Sequence, residues 1–253
     1  MPTVNEDLPM RRIYVKSGGE KRYNMKNNSG SVRIKKMTFV ALFCALAFIV
    51  SVIFPLKVMF LTLDFKDAIT AICGMAFGPV SGLAAAIVVP FIELMTSDTG
   101  IYGLIMNILS SVTFVGISSL IYKHKKTIHG AVLGLAVAVP ATVAVMICAN
   151  LLITPLYMPG ADVKTVIGLI PTVLLPFNLI KSTLNAGFVM LLYKPISGVL
   201  KRSGALGRLG EGGADKEQAV TVNKKRSAAV AIISLALVVA AFTVLFLIFD
   251  VSF

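Results

Sequence analysis

The sequence predicts an all-α, polytopic helical membrane protein, a bundle of six helices followed by one extra C-terminal transmembrane helix. Three observations carry that prediction. The chain of 253 residues is 57% hydrophobic and only 14% charged, with a mean hydropathy of +0.86. Apolar runs of bilayer-spanning length recur along it, and the alternation expected of a membrane barrel is absent. Lysine and arginine gather in alternate loops and in the tails, as they do on the cytoplasmic side of membrane proteins.

Residues 1–33 are polar, with Gly18-Gly19 and Asn27-Asn28-Ser29-Gly30, and read as a disordered cytoplasmic tail. Arg33, Lys35 and Lys36 then precede the apolar run Met37–Phe54. Ala45-Leu46-Ala47 mimics a signal cleavage site, but the apolar run continues through it, which favours an uncleaved span with the N-terminus inside. Ala41 and Ala45 form a small-xxx-small pair, which permits close approach by another helix. Pro55 ends this helix, and Leu56–Lys66 is the outer connection. Asp67 can cap the next helix, and Asp64 is left to face a cavity mouth.

Residues 68–77 make a short second span, Gly78-Pro79 a tight turn, and residues 80–96 a third span. Gly74, Gly78 and Gly82 recur every fourth residue and allow helices to touch around that turn. Glu93, near the outer end, pairs with a base or reaches the interface. After the outer turn Ser97–Gly100 comes a fourth span, Tyr102–Tyr122, carrying Asn107, which suits a helix–helix hydrogen bond or a ligand contact. The basic loop Lys123-His124-Lys125-Lys126 is cytoplasmic by its charge. A fifth span, about 128–153, ends near Asn150 and is followed by Thr154-Pro155-Leu156-Tyr157 and an outer loop holding Asp162.

The sixth span, Pro171–Leu200, is the most informative stretch. Asn178, Lys181, Ser182 and Asn185 share one helical face within it. A lysine at bilayer depth costs about 2.5–3.5 kcal/mol, so it needs a partner or a wet cavity. Lys181 either snorkels or pairs structurally, or lines a solute cavity; the three polar neighbours favour the cavity. The membrane domain is thus residues 34–202. Residues 203–226 are a basic, glycine-rich cytoplasmic linker, and residues 227–253 hold the extra transmembrane helix, a peripheral anchor with its C-terminus outside.

Several functions are set aside. The net charge of +12 sits in loops flanking apolar spans, so it indicates a lipid bilayer rather than nucleic acid. Cys44, Cys73 and Cys148 lie in apolar stretches without a CxxC pair, and His124 and His129 lack a third metal ligand. GxxxxGK[ST], HExxH and GxSxG are missing. Glu93 and Lys181 could form the acid–base pair of an intramembrane enzyme, and a purely structural subunit is a further alternative.

Leu63-Asp64-Phe65-Lys66-Asp67, Gly78-Pro79 with Gly82, Ala149-Asn150-Leu151-Leu152 with Pro155-Leu156-Tyr157, and Pro176-Phe177-Asn178-Leu179-Ile180-Lys181 follow in that order. This resembles the substrate-binding S component of energy-coupling-factor (ECF) vitamin transporters, most closely the riboflavin-specific kind, over about Lys35–Arg202. The resemblance implies six helices that hold the vitamin near the outer surface of a bacterial cell membrane. It implies that Asn150, Asn178 and Lys181 contact the flavin and that Leu63–Asp67 caps it. Ala41 and Ala45 are similar to the AxxxA contact with the transmembrane T subunit, whose two cytoplasmic ATPases would explain the missing P-loop. The seventh span and the basic tails depart from the family's plan.

The residue chemistry agrees with this implication. An isoalloxazine has apolar faces and one edge of donors and acceptors, which asparagine amides and a lysine ammonium can match. Phe65, Phe177 or Tyr157 could stack on the ring. Riboflavin is then a transported ligand, with no resident cofactor expected. Folate or pantothenate is the alternative, with Lys181 as counter-charge to a carboxylate.

Overall fold

The computed structural model describes residues 29–53, 55–58, 61–96, 100–158, 160, 162–202 and 224–248. The polar tail up to residue 28, the glycine-rich linker before Lys224, the outer turn at 97–99 and the C-terminal end lie outside the described residues.

The helices are α1 (Ser29–Ile53), α2 (Lys66–Phe77), α3 (Pro79–Glu93, with a 3-10 turn to Thr96), α4 (Gly100–His124) and α5 (Ile128–Tyr157). α6 (Val163–Leu169) runs through a π turn (Ile170–Leu174) into α7 (Leu175–Arg202), and α8 (Lys224–Ile248) follows. The segments Arg33–Ile53, Gly100–His124, Ile128–Tyr157 and Val163–Tyr193 are long and apolar enough to cross a membrane. This bears out the all-α membrane fold, with four helices of spanning length among the described residues and shorter helices packed with them.

Three boundaries differ from expectation. The outer connection folds into a small antiparallel hairpin, β1 (Leu56–Val58) with β2 (Leu61–Leu63), which helical periodicity cannot announce. α5 continues through Pro155 to Tyr157, since a proline's lost hydrogen bond is tolerated where packing holds the helix. The sixth passage begins at Val163, where Asp162 caps α6 by accepting from the Thr165 N–H at 2.9 Å. The Thr165 N–H and hydroxyl hold the exposed Asp162 carboxyl below the usual carboxylate range.

α2 is the hub. Its 12 residues rise only ~18 Å, too short to cross a hydrocarbon core, and every one except Ala76 is buried. It packs against α1, α3, α4 and α7. The predicted close contact of glycines is real: a Cβ on Gly82 would lie 2.5 Å from the Gly74 Cα, and one on Gly74 would lie 2.9 Å from the Ser119 Cβ. Gly78, at φ 99°, makes the turn that a side chain would resist, and Pro79 starts α3. Phe39 and Phe43 clasp Phe77 with ring centroids at 5.7 and 5.9 Å, pinning α1 to the end of α2.

α8 is more than a loose anchor. Val238, Ala241 and Leu245 are buried in one apolar cluster with Leu63, Phe65, Phe177 and Leu184. Its opposite face, including Ile232, Ile233 and Val239, is exposed, as lipid-facing residues are.

Candidate functional site

Where the hairpin meets α2, α3 and α7, four charged side chains form a continuous chain. The Glu93 carboxylate accepts from Lys66 Nζ at 2.6 Å, and Lys66 also reaches Asp64 Oδ2 at 3.2 Å. The same oxygen accepts from Lys181 Nζ at 3.0 Å, while Lys181 also donates to the Thr62 carbonyl at 3.0 Å. Asp64, Lys66, Glu93 and Lys181 are all buried. Isolated buried charges cost several kcal/mol each, so each of these is tenable only through the others.

Asn185 locks the junction one turn along α7. Its Nδ2 donates to the Asp64 carbonyl at 3.0 Å and to the Lys181 carbonyl at 3.1 Å, and its Oδ1 accepts from the Ala68 N–H at 2.9 Å. The residue at the N-cap of α2 is Phe65, which has no side-chain acceptor, so an asparagine from another helix does the capping.

Several expectations change here. Asp67 does not cap α2: it lies in the first turn, and its carboxylate accepts from the Ser111 hydroxyl on α4. Asp64 does not face a cavity mouth but sits inside the ion chain. Glu93 pairs with Lys66 rather than serving Lys181 as an acid–base partner. The Phe65 ring lies against Phe188 at 4.6 Å and Phe242 at 6.0 Å, and Leu63 is fully buried in the same apolar cluster.

The remaining predicted residues form a second group. On α5, Asn150 is buried, donating to the Met146 carbonyl at 2.7 Å and accepting from Thr154 Oγ1 at 3.0 Å. Asn178, just after the π turn, donates to the Leu174 carbonyl at 2.8 Å. Asn107 is half-buried on α4, and the Tyr157 ring stacks on Tyr102 at 5.8 Å. α5 packs beside α7, as a shared site needs, yet these amides are engaged with their own helices while Lys181 is engaged with the hairpin. Ala41 and Ala45 lie on the exposed face of α1, opposite the buried Phe43, Cys44 and Ala47.

Ser111 is the participant that the sequence did not single out, being one of several small hydroxyls on α4. Lys66 and Asn185 each carried a signal, Lys66 within the Leu63–Asp67 run and Asn185 on the polar face of the sixth span.

Fold and site together define a multi-pass helical membrane protein with a buried polar centre under a hairpin. The chain belongs to the family described as ECF transporter, substrate-specific component, whose model matches residues 35–193. It is 29% identical over 192 residues to the riboflavin transporter RibU of Staphylococcus aureus (strain TCH60), covering 73% of this chain and 98% of that one. It is also similar to the solved S component of a bacterial ECF transporter, with a TM-score of 0.57 and 30% identity over 67% of this chain and 99% of the other.

Proposed function

We propose that this chain is the riboflavin-binding S component of an ECF transporter, working with a transmembrane T subunit and two cytoplasmic ATPases. The observation that carries this reading is the likeness to a riboflavin transporter over 98% of its length. The N-terminus and the Lys123–Lys126 loop lie in the cytoplasm, and the hairpin faces outward. Asn107, Asn150, Tyr157, Asn178 and Lys181 supply the polar side of the site, and the Leu63–Asp67 segment closes it.

The ion chain supports a neutral ligand over a carboxylate vitamin. Lys181 already neutralises Asp64 at 3.0 Å, and a ligand carboxylate would have to compete for it. A flavin asks only for a donor, and an ammonium has three.

The absorption spectrum of the purified protein tests the reading first, since a tightly held flavin would be carried through purification. Titration with riboflavin, followed by quenching of flavin fluorescence, tests the residues. Asn178→Ala and Lys181→Met should each weaken binding about ten- to hundredfold, the usual cost of one buried hydrogen-bond partner. Tight binding of folate or pantothenate, abolished by Lys181→Met, would replace riboflavin with a carboxylate vitamin. Unchanged flavin affinity in both variants would put the site elsewhere.

A further inference from the structure

α8 lies beyond residue 193, where the family match ends, and its buried face meets the hairpin segment as well as α7. Phe65 is the joint. It lies two residues after β2, and its ring contacts Phe188 of α7 and Phe242 of α8, at 4.6 and 6.0 Å. Leu56 and Leu63, one from each hairpin strand and paired in register, belong to the same apolar cluster as Val238, Ala241 and Leu245 of α8. The seat is shaped for α8: a Cβ on Gly187 would fall 2.5 Å from Val238 Cγ2 and 3.5 Å from Leu237 Cδ2.

We propose that α8 is a buttress for the closing segment, with Phe242 and Gly187 as positioning residues that hold Phe65, and through it the hairpin, in the closed position. The inference rests on the reading above that Leu63–Asp67 closes the ligand site. A two-stranded hairpin is marginal by itself and needs a packed face to stay in one place. Here α7 supplies one wall of that packing and α8 the other. Opening the segment by swinging Phe65 outward requires breaking its contacts with both walls. The consequence is slow escape of bound ligand, with little change in the polar contacts that recognise it.

The test uses the full-length chain in detergent and reads two quantities. The first is hydrogen exchange at the 61–68 amides without ligand; the second is the dissociation rate of riboflavin by stopped-flow fluorescence. Phe242→Ala removes one aromatic wall, which is worth a factor of roughly 3 to 10 in segment opening. Exchange at 61–68 should accelerate by that factor while exchange in α4 stays unchanged, and riboflavin should leave faster by a similar factor. Phe242→Leu should recover most of the effect. Gly187→Leu, which pushes α8 away, should match or exceed Phe242→Ala. Ile233→Ala, on the exposed face of α8, should change neither quantity. Unaltered exchange at 61–68 in both Phe242→Ala and Gly187→Leu overturns the buttress, whatever the ligand. Faster exchange with no riboflavin binding by the native chain supports the buttress and instead overturns the riboflavin assignment.

Discussion

Lys181 Nζ lies 3.0 Å from Asp64 Oδ2, across 117 residues of sequence. One end of that contact is in the membrane helix that carries the candidate ligand face. The other is in the connection between α1 and α2. The pair therefore ties α7 to that connection, and Lys66 extends it to Glu93 at the end of α3.

Breaking the pair on one side should be worse than removing both partners. Asp64→Asn or Lys181→Met alone unbalances the buried chain by one charge, a loss of up to about 3–5 kcal/mol that the remaining contacts of Lys66 with Asp64 and Glu93 reduce. The double variant should recover a good part of that loss. Thermal unfolding of the four proteins in one detergent measures the coupling; strictly additive losses would mean that the pair contributes no interaction energy.

Asn185→Ala should destabilise the protein by about 1–3 kcal/mol, since it takes the donor from the buried Asp64 carbonyl and leaves the Ala68 N–H only its longer bond to the Phe65 carbonyl at 3.2 Å. Asn185→Asp keeps the acceptor for the helix end but sets a buried carboxylate oxygen against the Asp64 and Lys181 carbonyls, so it should be at least as destabilising as Ala. The unfolding midpoint of both variants should lie below native. An alanine variant as stable as the native chain would show that the helix end is satisfied in another way.

Gly82→Ala should cost about 1–3 kcal/mol, because the new methyl meets the Gly74 backbone as well as Val115 Cγ1 at 2.9 Å. The nearest atom is the Gly74 Cα at 2.5 Å, so α3 must shift from α2. Gly168→Ala, with open space around its Cβ, is the matched control and should be neutral or slightly stabilising. Equal unfolding midpoints for the two variants would contradict the close contact.

Ala41 and Ala45 face outward on α1, so bulky replacements can act on a partner without disturbing the interior. Ala41→Trp with Ala45→Trp should abolish uptake of labelled riboflavin in cells that express the partner subunits. Binding by the purified variant should stay within about twofold of native, as expected of surface changes. Normal uptake would place the coupling face elsewhere.

The sequence by itself determined the class, the long spans and the polar face of α7. Hydropathy marks spans because a membrane selects apolar side chains residue by residue. A period near 3.6 put Asn178, Lys181, Ser182 and Asn185 on one face of α7 because helical geometry is local. Glycines every fourth residue announced the close packing around Gly78 for the same reason. Only the tertiary structure decided what those residues meet. Nothing near Lys181 in the chain names Asp64 as its partner, or Lys66 and Glu93 as the continuation. Asp67 looked like a helix cap, yet Asn185 from α7 does the capping while Asp67 turns to Ser111. A buried charge or an open helix end is a local demand that any complementary group can meet, and the group that meets it is chosen by how the helices pack.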